Sequence, residues 1–407
     1  MKLSAYRPGP GMMVSAAFIG PGTVTACTLA GANFGFALIW ALVFATATTI
    51  LLQGFAVRIA LVSRMGLAEA MMQSVSTPIF RLLAALLLIA ALVLGNAAYE
   101  AGNISGAVLG VEALSGADIG DARPLVIIAI ALLAGALLLF SKPKWVERVL
   151  ISLVLLMSAA FLVTFVLTKP DIGAILAGFI PHVPEDGLLT AIALIGTTIV
   201  PYNLFLHAAS ARNRWESPTG LPEAQADNVI SIGLGGLISI TILATAAASM
   251  FGTDREIANA ADMAAQLSPV FGNFASVMLG IGLFAAGLTS AITAPLATGY
   301  IVQEIFGKSA EDGSRLPFNL AALLVILSGT FGALLSYSPV EIIFIAQIAN
   351  GLLLPVIAAF LLKLANNKAI LGEHVNSWKA NIAGGTVLIV TSLLGIRLIA
   401  RALGYWP

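Results

Sequence analysis

Long apolar segments recur along almost the whole chain, and they constrain its fold more than any other feature. Hydrophobic residues make up 59% of the sequence and charged residues only 10%, whereas soluble domains carry roughly 25% charged residues. A chain of this composition cannot cover its surface with polar groups, so lipid must be its solvent. The segments reach the length of about 20 residues that a spanning helix needs, and apolar and polar residues do not alternate along them as they do in a membrane β-strand. The sequence therefore predicts an all-helical membrane protein.

Eleven segments fit such a spanning helix. They lie at 12–34, 36–62, 79–110, 123–141, 148–168, 187–210, 228–250, 270–305, 317–336, 340–364 and 380–403. Positive residues concentrate in the cytoplasmic loops of membrane proteins. Most Lys and Arg residues fall on one side if the N-terminus is cytoplasmic, among them Arg58, Arg64, Lys142 and Lys363. We therefore expect a multi-pass protein of the cell (inner) membrane, with a cytoplasmic N-terminus and an outside C-terminus.

Composition and motifs disfavour several other classes of protein. The 20 Lys and Arg residues balance 20 Asp and Glu residues, so no basic surplus indicates nucleic acid. One cysteine, Cys27, and three histidines allow no cysteine cluster and form no His-Glu-x-x-His zinc motif. No repeated filter motif of a channel is present. We expect no enzymatic activity and no cofactor. The expected partners are the lipid bilayer, a small inorganic ion as substrate, and protons, and the oligomeric state stays open.

Two predicted spans carry a proline near the middle of their length. Gly20-Pro21-Gly22-Thr23 interrupts the first span, and Val200-Pro201-Tyr202-Asn203 interrupts the sixth. A proline removes a backbone donor and clashes with the preceding turn, and unwound backbone inside a membrane must be buried in protein or line a cavity. A simple kink is the alternative for either proline alone, but paired interruptions in two halves indicate the binding site of a transporter.

The pairing predicts one transmembrane transporter domain, 1–407, built from two inverted repeats of five helices. The first repeat would cover 12–168 and the second 187–364, and an additional helix would follow at 380–403. The half-helices are expected to start after Gly22 and after Tyr202. The polar stretch from Arg212 to Asp227 is predicted to be a solvated loop.

Several motifs along the chain are shared with one known family. They are Gly31-Ala32-Asn33-Phe34-Gly35-Phe36 with Gln53, the span-6 residues Pro201, Asn203 and His207, the stretch Gly287-Leu288-Thr289-Ser290-Ala291-Ile292-Thr293, and the span-10 residues Gln347 and Pro355. The chain resembles the Nramp family, the proton-coupled divalent-metal transporters, over nearly its whole length. The resemblance implies the inverted five-helix repeat and the transport of a small ion.

The residues at the two breaks depart from the family's pattern. Where the family carries Asp-Pro-Gly-Asn in span 1, Gly20 and Thr23 replace the acid and the amide. Where the family carries Met-Pro-His in span 6, Val200 and Tyr202 replace the thioether and the imidazole. The side-chain metal ligands that the resemblance would imply at the two breaks are therefore missing.

The altered breaks offer a substrate only neutral groups. The candidate substrate-binding residues are Gly20, Gly22, Thr23, Val200, Tyr202, Asn203 and Gln347. Transition metals prefer soft or charged ligands, which are absent here. Exposed half-helix N-termini bind anions, and hydroxyl and amide side chains donate hydrogen bonds, so we expect a small anion such as bicarbonate. A hydrated divalent cation, Mg²⁺ before Mn²⁺, stays open because the carbonyls before each proline would face the same place.

A second group of residues is a candidate proton pathway. In span 3, Glu100 keeps the first of two acids that the family uses in proton movement, and Asn103 replaces the second. His207 lies four residues after Asn203, on the same helical face, and histidine titrates near neutral pH. Alternatively, Glu100 is a structural acid hydrogen-bonded to Asn103 or Asn96, and His207 is a histidine with only a packing role.

Overall fold

The computed structural model describes residues 9–11, 19–75, 77–116, 119–140, 144–253, 256–306 and 315–403. These residues form helices and connecting turns, without a strand among them. The principal helices are α1 (Pro21–Phe34), α2 (Ile39–Ser63), α3 (Pro78–Ser115), α4 (Arg123–Phe140), α5 (Lys144–Thr168), α6 (Leu188–Thr198), α7 (Pro201–Arg214), α8 (Leu221–Met250), α9 (Ala275–Ile305), α10 (Leu316–Ala333), α11 (Pro339–Ala365) and α12 (Trp378–Ala402).

The helices match the predicted spans. Within the described residues, nine helical stretches are long and apolar enough to cross a bilayer. The first predicted span is represented by the 14 residues of α1, because 12–18 lie outside the described residues. The third is represented by α3, whose 38 residues extend over about 57 Å and exceed the roughly 30 Å hydrocarbon core. The prediction of an all-helical membrane protein is confirmed.

Burial separates central helices from lipid-facing ones. Of an apolar segment of 18 residues within Leu188–Arg214, which contains α6 and α7, 94% is buried. The corresponding segments within Trp378–Ala400 of α12 and Gly120–Phe140 of α4 are only 17% and 22% buried. Exposed leucines such as Leu132 on α4 and Leu393 on α12 give these outer helices an apolar surface. A helix that is apolar on its exposed face suits lipid, whereas α6 and the first two turns of α7, which are largely buried, place their polar groups inside protein.

The sixth span is broken as predicted, and in the first span a helix begins at the predicted break. In the sixth span α6 ends at Thr198, and Ile199 and Val200 are non-helical before α7 begins at Pro201. In the first span Gly20 is extended, with φ −96° and ψ −176°, and α1 begins at Pro21. Each proline thus occupies the first helical position, where its missing N–H costs no hydrogen bond.

The expected start of each half-helix was wrong by one or two residues. Gly22 and Thr23, and likewise Tyr202 and Asn203, lie in the first turn of a helix rather than in unwound backbone or at its edge. The reason is that the φ angle fixed by the proline ring suits the first helical position, so the proline starts the helix.

The stretch from Arg212 to Asp227 is also not the predicted solvated loop. Helix α7 continues to Arg214, and α8 begins at Leu221. Asp227 lies in the second turn of α8 and is fully buried.

Glycine brings α3 against the first break. A Cβ atom on Gly106 would overlap the ring of Pro21, and one on Gly287 of α9 would lie 2.5 Å from the backbone nitrogen of Ala107. Small residues let membrane helices approach at the backbone. Helix α3 is therefore held between the start of α1 and the middle of α9.

Candidate functional site

The two broken helices meet through a pair of threonines. Thr23 in the first turn of α1 and Thr197 in the last turn of α6 place their hydroxyl oxygens 3.0 Å apart, and both side chains are fully buried. This hydrogen bond joins the start of one half-helix to the end of another. The prediction for Thr23 did not include Thr197, although a polar residue three positions before Val200 in an apolar span was an available signal.

Gln347 of α11 lies against both half-helices. A Cβ atom on Gly22 would overlap its side-chain amide, and a Cβ atom on Gly196 of α6 would overlap its backbone carbonyl. The Gln347 amide donates to the carbonyl of Ile343 at 3.2 Å, while its Oε1 has no hydrogen-bond partner among the described residues. The structure therefore places Gln347 at the junction of α1 and α6, and glycine at positions 22 and 196 makes this close approach possible. Its role in substrate binding stays a prediction.

The first turn of α7 carries buried polar groups that lack protein partners. Tyr202 is fully buried, and its ring packs edge-on against Tyr99 of α3 with centroids 5.5 Å apart. The Tyr202 hydroxyl and both amide atoms of Asn203 have no hydrogen-bond partner in the described part of the chain. Buried polar groups normally have partners. These atoms are therefore the ones that a substrate or water at the break would satisfy.

Glu100 and Asn103 form a pair inside α3. The Asn103 amide donates to Oε2 of Glu100 at 3.2 Å, and Glu100 is fully buried with its Oε1 unpartnered among the described residues. A Cβ atom on Gly329 would overlap the Glu100 side chain, so α10 covers it closely. The bond to Asn103 agrees with the structural alternative, and Asn96 instead donates to Thr298 at 2.6 Å. A role of this pair in proton movement stays a prediction.

His207 connects α7 to α2. Its Nδ1 lies 2.9 Å from Oε1 of Gln53, and its Nε2 has no partner among the described residues. Both side chains are buried. The sequence singled out both residues through the family resemblance, but it did not pair them. The contact lies further along α7 than Asn203, away from the break.

The sequence-derived candidates therefore fall into three places. Gly22, Thr23 and Gln347 meet at the junction of α1, α6 and α11. Tyr202 and Asn203 lie in the first turn of α7, where the Tyr202 ring contacts Tyr99, the residue before Glu100. His207 lies further along α7, against Gln53 of α2. The predictions did not include Thr197, Tyr99 or Asn350. Asn350 is buried about one turn after Gln347, and its Nδ2 has no hydrogen-bond partner among the described residues.

At the two breaks, the carbonyls directly before the prolines are engaged inside a helix, while two backbone N–H groups are not. The carbonyl of Gly20 accepts the N–H of Val24 at 3.2 Å, and the carbonyl of Val200 accepts the N–H of Asn203 at 3.1 Å. The N–H groups of Gly22 and Tyr202, by contrast, precede the first intrahelical bond and have no carbonyl of their own helix to bond. Helices α1 and α7 each have the positive end of their dipole at the proline, whereas α6 has its negative end at the break.

The described residues hold no group of three or more His, Cys, Asp and Glu side chains able to bind a metal ion. The side chains that meet at the breaks are neutral hydroxyls and amides, and the neighbouring carboxylate is Glu100 on α3. A dication stripped of its water would find little compensating charge in such a site.

An all-helical membrane bundle whose broken sixth span meets the start of α1 through a buried threonine pair, beside polar groups that have no partner among the described residues, has the architecture of a broken-helix secondary transporter. Residues 11–401 match the family model described as natural resistance-associated macrophage protein-like. The chain belongs to this family, Nramp.

Curated relatives are similar over most of their length. A protein of Nostoc sp. described as divalent metal cation transporter MntH is 29% identical, over 100% of this chain and 92% of the relative. The proteins of the same description from Deinococcus radiodurans and Yersinia pestis are 25% and 27% identical, over 97% and 98% of this chain and 90% and 96% of theirs.

Solved structures share the fold. A mutant of the Eremococcus coleocola manganese transporter superposes with a TM-score of 0.79 at 21% identity, over 97% of this chain and 86% of that chain. Mhp1, a nucleobase-cation-symport-1 family transporter, superposes with a TM-score of 0.60 at 14% identity, over 98% of this chain and 94% of that chain.

Proposed function

We propose that this Nramp-family transporter carries a small inorganic ion between α1 and α7, and that its preferred substrate is a small anion such as bicarbonate. The observation that carries the proposal is the polarity of the two breaks. The carbonyls of Gly20 and Val200 are engaged inside their own helices, whereas the N–H groups of Gly22 and Tyr202 are not. Two helix N-termini can stabilise one negative charge without a charged side chain.

The neutral side chains support the same substrate. The Tyr202 hydroxyl and the Asn203 amide can donate hydrogen bonds to a small oxyanion, and both lack protein partners among the described residues. Glycine at position 20 keeps a carboxylate, which would repel an anion, away from the start of α1. The substrate-binding set is therefore Gly20, Gly22, Thr23, Val200, Tyr202, Asn203 and Gln347, with Thr197 added by its contact with Thr23.

A hydrated divalent cation is the second candidate, and two observations favour it. The curated relatives are described as divalent metal cation transporters. Glu100, one helix away from the break, holds a fully buried carboxylate with an unpartnered Oε1, and the Oε1 of Gln347 is a further unpartnered acceptor among the described residues. Mg²⁺ keeps much of its water when bound and so suits neutral oxygen ligands better than a transition metal does.

Uptake into proteoliposomes distinguishes the two substrates. We expect saturable uptake of radiolabelled bicarbonate by the parent protein and loss of that uptake in Gly20→Asp, because the new carboxylate repels an anion. The matched control is Gly20→Asn, which adds nearly the same volume without the charge and should retain more uptake than Gly20→Asp. Saturable Mg²⁺ uptake that Gly20→Asp enhances, together with no bicarbonate uptake by the parent, would replace the anion with the hydrated cation.

The topology and the repeats belong to the same proposal. We place the N-terminus in the cytoplasm and the C-terminus outside, and we assign 12–168 and 187–364 to the inverted repeats, with 380–403 as an addition. In a Cys27→Ala background, cysteines at the exposed Asp121 and Lys368 test the orientation. A membrane-impermeant maleimide should label position 121 in intact cells and position 368 only after permeabilisation. The reverse pattern would invert the topology.

A further inference from the structure

A buried carboxylate holds the segment at the start of the chain. Oδ1 of Asp227 accepts the N–H of Gly9 at 2.9 Å, and Oδ2 accepts the N–H of Gly11 at 2.7 Å. Asp227 is fully buried in the second turn of α8, more than 200 residues away in sequence. One side chain thus fixes the segment that leads into the first broken span.

The sequence Gly9-Pro10-Gly11 is suited to this contact. Pro10 has no N–H, so the two donors on either side of it bond one carboxylate oxygen each. A Cβ atom on Gly9 would lie 2.6 Å from Oδ2 of Asp227, and one on Gly11 would lie 2.8 Å from the same oxygen and 3.0 Å from the backbone carbonyl of Asp227. Both positions therefore need glycine for the segment to approach this closely.

Further polar contacts lie in the same part of the bundle. The Asn228 amide donates to the carbonyl of Ile50 on α2 at 2.8 Å, and Gln53, one turn further along α2, contacts His207 of α7. His207 lies six residues after Pro201, which places it about 9 Å along α7 from the break. These contacts connect the N-terminal segment, α2, α7 and α8. They lie on the side of the break at which α7 ends, which is called the α7 side below.

We propose that Asp227 is a positioning residue for transport, whose carboxylate holds Gly9 and Gly11 in place and keeps the α7 side of the bundle closed. The two hydrogen bonds must break when that side opens to the substrate site. After opening, water must satisfy the carboxylate and the two backbone donors, and the free-energy cost of this exchange favours the closed form. Binding of substrate, or a rearrangement on the opposite side of the protein, then shifts the equilibrium towards the open form. The proposal rests on the proposed transport cycle, but it concerns the equilibrium between closed and open forms rather than the identity of the ion.

A cysteine at the fully buried Ala208 of α7 measures that equilibrium without substrate. The reporter protein carries Cys27→Ala and Ala208→Cys, and its labelling by a maleimide is followed over time. Adding Asp227→Asn keeps the volume of the side chain but removes its charge and one hydrogen-bond acceptor. The labelling rate should then rise by about tenfold, the effect expected when a charge-assisted hydrogen bond is lost. Gly11→Ala should accelerate it similarly, because the added methyl group displaces the segment from an intact Asp227.

Two matched controls separate the contact from general loosening. Gly233→Ala places a methyl group into open space on the same helix, and Glu223→Gln neutralises an exposed acid one turn earlier. Both should label at the parent rate. The proposal would be overturned if Asp227→Asn and Gly11→Ala are both monodisperse and both label at the parent rate. If Asp227→Asn fails to fold, the labelling rate of Gly11→Ala alone tests the proposal. Faster labelling in a protein that transports neither bicarbonate nor Mg²⁺ would support the proposal while rejecting the proposed function.

Discussion

Replacing Thr197 with valine tests whether the two broken helices are joined by their threonine pair. The change keeps the shape of the side chain but removes the hydroxyl that lies 3.0 Å from that of Thr23. Because both residues are fully buried, losing the hydrogen bond between them should cost about 0.5–1.5 kcal/mol. Thr23→Val should cost a similar amount for the same reason.

The double variant gives the sharper result. When both hydroxyls are replaced by apolar groups of the same shape, no polar atom of the pair remains buried, and the change is close to neutral. Thr23→Val with Thr197→Val should therefore be destabilised by less than the sum of the single variants, with a coupling energy of about 1–2 kcal/mol. The free energy of unfolding can be measured by titration with sodium dodecyl sulfate in mixed micelles.

A matched control and a functional readout complete the experiment. Thr245 is fully buried and donates to the carbonyl of Thr241 in its own helix, so Thr245→Val should cost less than about 1 kcal/mol. The double variant should remain folded while its uptake half-saturation rises, because two donors have left the break. Additive free energies in the cycle, with no coupling beyond about 0.3 kcal/mol, would refute a hydrogen bond between the two helices.

Three further results are expected. Glu100→Gln should retain the fold, since Asn103 can still bond the amide oxygen, but its uptake should no longer respond to a pH gradient; an unchanged response would leave Glu100 as a structural acid. Calorimetric titration with Mn²⁺ should detect no micromolar binding, because soft and charged ligands are missing at the breaks, and a micromolar isotherm would contradict the neutral-site argument. Gly106→Ala should reduce both the yield of folded protein and transport, because the added methyl group overlaps Pro21, whereas Gly233→Ala should match the parent in both measurements.

The membrane class, the helix positions and the two breaks could be predicted from the sequence. A spanning helix is specified by its own length and apolarity, so each segment carries the information locally. Pro21 and Pro201 marked the breaks because a proline cannot continue the hydrogen bonding of a helix interior. The exact helix starts were missed by one or two residues, since the same proline is well suited to begin the next helix.

The neutral character of the site also followed from the sequence. Gly20, Thr23, Val200 and Tyr202 stand where the family's ligands would be, and this comparison needs no coordinates. The donor-rich backbone did not follow, because it depends on which carbonyls are already bonded. The sequence left the carbonyls of Gly20 and Val200 open as cation ligands, whereas the fold engages both within their own helices.

Tertiary structure alone decided which polar residues meet. Thr23 and Thr197 are 174 residues apart, His207 and Gln53 are 154 apart, and Gly9 and Asp227 are 218 apart. The stretch before Asp227 was predicted to be a solvated loop because it is rich in polar residues. Composition cannot tell whether the hydrogen-bond partner of a polar side chain is water or a backbone N–H from a distant part of the chain. Apolar length is a property of one segment, but a hydrogen-bond partner is a property of two, and only the packing of the helices brings the two together.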